Sequence, residues 1–256
     1  MAPRGRSGTT ETDLYLLGNL DDPRRRLLIK LLAAGAFGTL APARGLAQVL
    51  GEKPGKLAPG RSVYRITGQA FVNGAPVTLR TPIKPTDTVE TGKRSELIFA
   101  VNDSAYILRE SSRLNLAQQS EGNVLINTLR LVTGALLSVF PPRTPQKMYT
   151  TTATLGIRGT GVYLEAQPEQ TYFCTCYGTT DIAANNDPQS TKTVVSKHHD
   201  EPVYILAKAQ AGKSIRAAPF INHTDQELML METLVGRTTP FVFPSDDYER
   251  ARKPYD

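Results

Sequence analysis

Five side chains able to hold a soft or borderline metal ion fall in one stretch of this chain: Cys174, Cys176, His198, His199 and His223. They are all of its cysteines and histidines, confined to residues 174–223 of 256. The cysteines lie in Tyr172-Phe-Cys-Thr-Cys-Tyr177, a run of strand-forming residues. On a strand, positions i and i+2 project to the same face, so both thiolates can reach one ion. His198-His199-Asp200 follows on a polar stretch that can return to them, and His223 precedes a helical segment. Thiolate and imidazole together suit zinc, iron or copper. A Cys2His2 set is available with one histidine to spare, and Asp200 and Asp225 are further or outer ligands in that reading.

The spacing matches no standard zinc-finger pattern and no Cys-x-x-Cys-His haem motif. Two other readings stay open on the residues alone. The cysteines could form a disulfide or redox pair, which is awkward between i and i+2 of an extended strand. They could also be plain core residues, with His198 and His199 solvated beside Lys197 and Glu201. Paired free thiols do not normally persist in an oxidising compartment, so the compartment bears on the choice.

The N-terminal segment specifies that compartment. Arg24-Arg25-Arg26 stands directly before a short, Ala- and Gly-diluted apolar run from Leu31 to Ala43. Gly45-Leu-Ala47 then places small residues at −3 and −1 of a cut after Ala47. A charged region, a short apolar region and a small-residue cleavage site define a secretory signal. The paired arginines are the twin-arginine feature. Residues 1–47 are therefore expected to be removed on export to the periplasm, an uncleaved signal anchor being the alternative. The run is shorter than the roughly 20 apolar residues of a membrane span, so no stable span is expected after cleavage.

Charge excludes one class of partner. Residues 1–47 carry seven basic and four acidic side chains, which puts +3 of the net +6 in the signal. The remaining +3 is spread over mixed signs without a Lys/Arg stripe, so nucleic-acid binding is not expected. No Ser-His-Asp order, catalytic carboxylate pair or phosphate cradle is present, Gly159-Thr-Gly161 being too short for the last. The residues name no reaction.

The elements that must position the cysteines and histidines read as mainly β. Residues 48–61 are a Gly-, Pro- and Lys-rich spacer, after which short β-branched runs alternate with turn signals. Strands are expected at Val63–Thr67, Ala70–Val72, Val77–Leu79, Thr88–Glu90, Glu96–Val101, Tyr106–Arg109 and Arg113–Leu116. Asn73-Gly74 and Asn102-Asp-Ser104 are the hairpin turns. Asn127–Phe140 reads as two strands about a Thr133-Gly134 turn, and Tyr149–Ile157 and Gly161–Glu165 continue the pattern. Residues 183–200 read as loop and Val203–Ala207 as a strand. Asn222–Gly236 reads as a helix, with Thr224 and Glu227 as a capping box and Gly236 as its stop.

The order of these turns resembles the FecR domain, the periplasmic domain of ferric-citrate-type sensor regulators. The landmarks are Val63…Gly68…Asn73-Gly74, Asp87-Thr-Val-Glu-Thr-Gly92 with Ser95, Asn102-Asp-Ser104 with Ser111-Ser-Arg-Leu-Asn-Leu116, and Leu129-Arg-Leu-Val-Thr-Gly-Ala-Leu136. Thr151-Thr-Ala-Thr-Leu-Gly-Ile-Arg-Gly-Thr-Gly161 is the most specific. The resemblance implies an antiparallel β sandwich or short solenoid-like domain over residues 62–182, with a small α+β extension over 183–256. It also implies a binding or signalling role with a periplasmic or envelope protein as partner. Arg158 is expected to bridge its strand to a neighbouring carboxylate or carbonyl. Two features depart from the family. Residues 1–23 hold no helical bundle, so the family's cytoplasmic anti-sigma region, and sigma-factor regulation with it, are not expected. The last strand pair carries Cys174 and Cys176 where plain apolar alternation is usual. Beside the binding module stand two other expectations: a redox or metalloenzyme built on the cysteines and histidines, and a structural envelope scaffold.

Overall fold

The computed structural model of the chain describes residues 54–121, 124–142 and 144–241. The signal at 1–47, the first part of the 48–61 spacer and the tail after Pro244 lie outside them. The strands run β1 (Val63–Thr67), β2 (Ala70–Val72), β3 (Ala75–Pro76), β4 (Thr88–Thr91), β5 (Glu96–Val101), β6 (Ser104–Leu108) and β7 (Arg113–Glu121). There follow β8 (Val124–Val139), β9 (Pro145–Tyr149), β10 (Ala153–Ala166), β11 (Gln170–Ala184), β12 (Asp187–Ser196), β13 (Val203–Leu206) and β14 (Ile215–Ala217). One helix among the described residues, α1 (Asp225–Leu234), follows the strands. All strands belong to one hydrogen-bonded sheet, mainly antiparallel, part of which closes into a small five-stranded barrel.

Local chemistry accounts for the turns. Asn73 and Gly74 both have positive φ, +51° and +81°, the requirement of a two-residue type I′ hairpin, and Val72 pairs with Ala75 across them. The strand expected at Val77–Leu79 is absent; the chain pairs at Ala75–Pro76 and turns away at the Pro-rich stretch. Two expectations were too short or split. β7 extends to Glu121, and Asn127–Phe140 contains no turn, since β8 passes through Gly134 unbroken. Gly134 has φ +86°, and a Cβ there would fall 1.9 Å from Ser112 Oγ. At that residue β8 changes neighbours, pairing with β7 up to Thr133 and with β6 and β10 from Gly134 onward. The glycine marks a change of partner, not a reversal.

The continuous apolar runs arise because both faces of the central strands are covered. Leu97, Phe99, Leu108, Leu136, Leu164 and Phe173 face one core, while Ile98, Ile107, Leu137, Tyr163, Tyr172 and Cys174 face the other. The second face is closed by Leu228, Met231 and Leu234 of α1. The helix starts as its sequence predicts: Thr224 accepts from the Glu227 backbone N–H, and the Glu227 side chain accepts from that of Thr224. It stops at Gly236, φ +77°, where the N–H groups of Gly236 and Arg237 return to the carbonyls of Thr233 and Glu232.

Residues 183–200 are not loop throughout: β12 is a ten-residue strand paired with β11. Three of its four inward positions are polar, Asp187, Ser190 and Ser196 beside Val194, so hydrophobic periodicity could not reveal it. Asp187 Oδ2 accepts from Ser190 Oγ, Ser214 Oγ and the Gly212 N–H, a polar network standing where side chains are usually apolar.

Candidate metal centre

Simple alternation puts Cys174 and Cys176 on one face of β11, and Tyr177 on the other. The structure puts all three against α1. The reason is a β-bulge: Tyr177 pairs with Gly161 and Thr175 with Val162, leaving Cys176 as an extra residue between them. Gly161 is what admits the bulge, because a Cβ there would meet the Tyr177 ring at 2.5 Å. The Tyr177 hydroxyl donates to Glu232 of α1, whose other oxygen receives Arg237 Nε at 2.6 Å. The bulge thereby ties the cysteine strand to the helix.

It also seats the histidines. The Cys176 carbonyl accepts from the His199 N–H at 2.8 Å, fixing the loop between β12 and β13 against the cysteines. Within that loop Asp200 Oδ2 accepts from the Lys197 and His198 N–H groups at 2.8 and 3.4 Å, and from Ser196 Oγ. The hydrogen bond from the Lys197 N–H, helped by those from His198 and Ser196, outweighs the effect of burial and holds its carboxyl below the ordinary value. Asp200 thus shapes the loop and stands apart from the two groups of converging ligand atoms. His223 enters from the residues before α1, with its ring stacked on Tyr163 at 4.5 Å. Cys174, Cys176 and His223 are fully buried; Phe220 and Phe241 pack against His199.

One ligand atom each from Cys174, Cys176, His199 and His223 lies within 4.8 Å of the other three. His199 Nδ1 is 3.7 Å from Cys174 Sγ and 3.1 Å from His223 Nε2. A tetrahedral ion bound at about 2.3 Å to sulfur and about 2.0–2.1 Å to nitrogen spaces its ligands by about 3.6 Å for S···N and about 3.3 Å for N···N. The two observed edges match those values within about 0.2 Å.

The outer contacts select the right nitrogens. His223 Nδ1 donates to the Ile221 carbonyl at 2.7 Å, leaving Nε2 with a lone pair toward the cluster. His199 Nε2 bonds Asp225 Oδ1 at 2.7 Å, leaving Nδ1 toward the same point. Two imidazole lone pairs 3.1 Å apart require a cation or a proton between them. His198 is more exposed, 39% for the side chain, and its Nε2 meets Asp225 Oδ2 at 2.8 Å.

The titration directions agree. Burial pushes the Cys174 thiol up, but hydrogen bonds with Cys176, His199 and His223, and the His223 charge, outweigh it and hold it well below the ordinary thiol range. Burial, then the contact with the Cys174 thiolate and its charge, push Cys176 well up. Burial lowers His199, but Asp225 and Cys174 together raise it to about 9. A proton is thus drawn onto His199 beside a Cys174 thiolate. The two cysteines are not joined in a disulfide.

The five cysteines and histidines named from the sequence converge here, with Asp225 beside them. The bulge, the aromatic shell of Tyr163, Phe220 and Phe241, and the Ile221 carbonyl carried no sequence signal beyond apolar character. Arg158 forms its expected bridge, to Asp181 at 2.8 Å, on the surface. No helix among the described residues is long and apolar enough to cross a membrane.

No family model matches the chain. No curated protein matches it either. Among solved structures, it is similar to two crystal structures, at 1.65 and 2.50 Å, of a protein designated an anti-sigma factor from Parabacteroides distasonis ATCC 8503. The identity is 11% and the TM-score 0.41 for each, over 57% of this chain and 74% or 73% of that one.

Proposed function

We propose that this chain is an exported FecR-type β module that binds one divalent transition ion, best zinc, through Cys174, Cys176, His199 and His223. The observation that carries the reading is the convergence of two buried thiols and two oriented imidazoles within 4.8 Å. A divalent ion with two thiolates and two neutral imidazoles has zero net charge, as a buried site favours. Four protein ligands close a tetrahedral shell, the pattern of structural and sensing sites, whereas catalytic zinc keeps a position open. Iron or copper fits the same donors less selectively.

In this reading residues 62–182 are the FecR-like sandwich or solenoid and residues 183–256 supply His199, His223 and α1. The order of the turn and glycine landmarks supports the family, and the arginine-led segment supports export, cleavage after Ala47 and a periplasmic or envelope protein partner. Folded export through a twin-arginine route accommodates an ion loaded before translocation. One observation favours a second reading, a redox or nucleophilic enzyme: Cys174, His199 and Asp225 form a thiol–imidazole–carboxylate chain.

The test is elemental analysis with thiol titration on full-length protein prepared without chelators or affinity metal. The expected result is near one ion per chain, lost in Cys174→Ser. Metal-free protein with two titratable thiols sinks the reading and leaves the thiol chemistry or a plain scaffold.

A further inference from the structure

We propose a second, solvent-facing metal site at His198, His199 and Asp225, joined to the first through the His199 ring. The proposal rests on the first site as read above. His198 and His199 are adjacent in the loop between β12 and β13, and both imidazoles aim at one carboxylate. His198 Nε2 lies 2.8 Å from Asp225 Oδ2 and His199 Nε2 lies 2.7 Å from Oδ1. The backbone bends to achieve this: His199 has φ +54° and Glu201 φ +52°, conformations that cost non-glycine residues energy and persist where surroundings enforce them. Asp200, accepting from the Lys197 and His198 N–H groups, is part of that enforcement.

The two sites use opposite nitrogens of one ring. Nδ1 of His199 faces the cysteines and His223, whereas Nε2 faces Asp225. Two imidazoles and one carboxylate suit a divalent ion of the zinc or copper(II) kind and occupy only part of its shell. His198 is 39% exposed whereas His199 and Asp225 are 7% and 10%, so solvent reaches the group from the His198 side, where water or a small anion completes the shell. When the second ion binds, the Nε2 proton of His199 passes to solvent and the ring bridges as imidazolate. His198 shifts its proton from Nε2 to Nδ1, so one proton is released for each second ion. The site differs in kind from the first: it is open, oxygen-containing and accessible.

The experiment titrates full-length protein, already holding zinc, with further zinc and separately with copper(II). Bound metal, proton release and copper electron paramagnetic resonance are recorded. The expected result is a second equivalent, nitrogen-coordinated for copper, with one proton released. His198→Ala should weaken that second equivalent at least tenfold and keep the first; circular dichroism confirms its fold, and His198→Gln repeats the test with a polar side chain. Saturation at one ion, or a second ion indifferent to both variants, overturns the proposal while leaving the first site standing. A protein that takes no ion sensitive to Cys174→Ser overturns both.

Discussion

His199 donates through Nε2 to Asp225 at 2.7 Å, and that single contact decides which nitrogen is offered to the cysteines. Asp225 sits in the first turn of α1, and His199 sits in the loop before β13, so the contact also pins the helix to the sheet. Orientation of a ligand by a carboxylate outside the shell is worth 10–100-fold in metal affinity in comparable sites. Asp225→Asn should therefore lower affinity by about that factor. Competition with a chromophoric chelator measures it, and unchanged affinity would show that Asp225 does not orient the ring.

The Gly161–Tyr177 contact predicts a stability effect at the bulge. A Cβ on Gly161 falls 2.5 and 2.8 Å from Tyr177 ring atoms and 3.1 Å from Leu228. The ring is held by its hydroxyl on Glu232 and cannot withdraw without breaking that bond. Overpacking of this kind costs about 1–3 kcal/mol. Gly161→Ala is expected to lower the urea midpoint accordingly, and to loosen the metal site because Cys176 is the bulged residue. A variant of native midpoint and affinity would mean that the ring has room to move.

These two cases show how far the sequence could be read. Cys174 and Cys176 were legible as a same-face pair, because period-two alternation is a local property. Histidines separated from them by a whole strand and turn could be grouped only by their rarity. The bulge was not legible: Cys176 and Tyr177 are adjacent, and nothing in their types says that both turn inward. β12 escaped for a different reason. Of its four buried positions only Val194 is apolar; Asp187, Ser190 and Ser196 are satisfied by hydrogen bonds to one another and to neighbouring segments, so the strand looks like a polar loop. Gly134 interrupts the apolar run in the sequence, but a glycine with positive φ serves a reversal and a change of partner equally well.

Acid should weaken the tie between α1 and the sheet. Arg109 bridges Glu96 of β5 at 2.5 Å and Glu227 of α1 at 2.9 Å. Burial raises the Glu96 carboxyl, but hydrogen bonds and charge from Arg65 and Arg109 outweigh it, and the net direction is down. A carboxylate depressed on folding contributes stability above its unfolded value, about 4.3, and loses it as pH falls through the lower folded value. Thermal unfolding of Glu96→Gln against the parent should therefore show a gap near pH 6–7 that narrows below about pH 4. A gap constant across that range would remove the charge argument and leave only packing.

Thr224 links helix capping to the cysteine–histidine cluster. Its side chain accepts from the Glu227 N–H, and its own N–H donates to the Glu227 carboxylate. The same residue separates His223, a ligand in the reading above, from Asp225, which orients His199. Removing the cap costs about 1 kcal/mol of helix stability. If the cap also holds His223 and Asp225 in register, Thr224→Ala must weaken metal binding as well as folding. Thr224→Ser keeps the acceptor and should restore both. Chemical denaturation with and without bound metal separates the effects: the stabilisation conferred by a fixed zinc concentration should shrink in the alanine variant and recover in the serine variant. Equal metal stabilisation in all three proteins would mean that the first turn of α1 and the metal centre are independent.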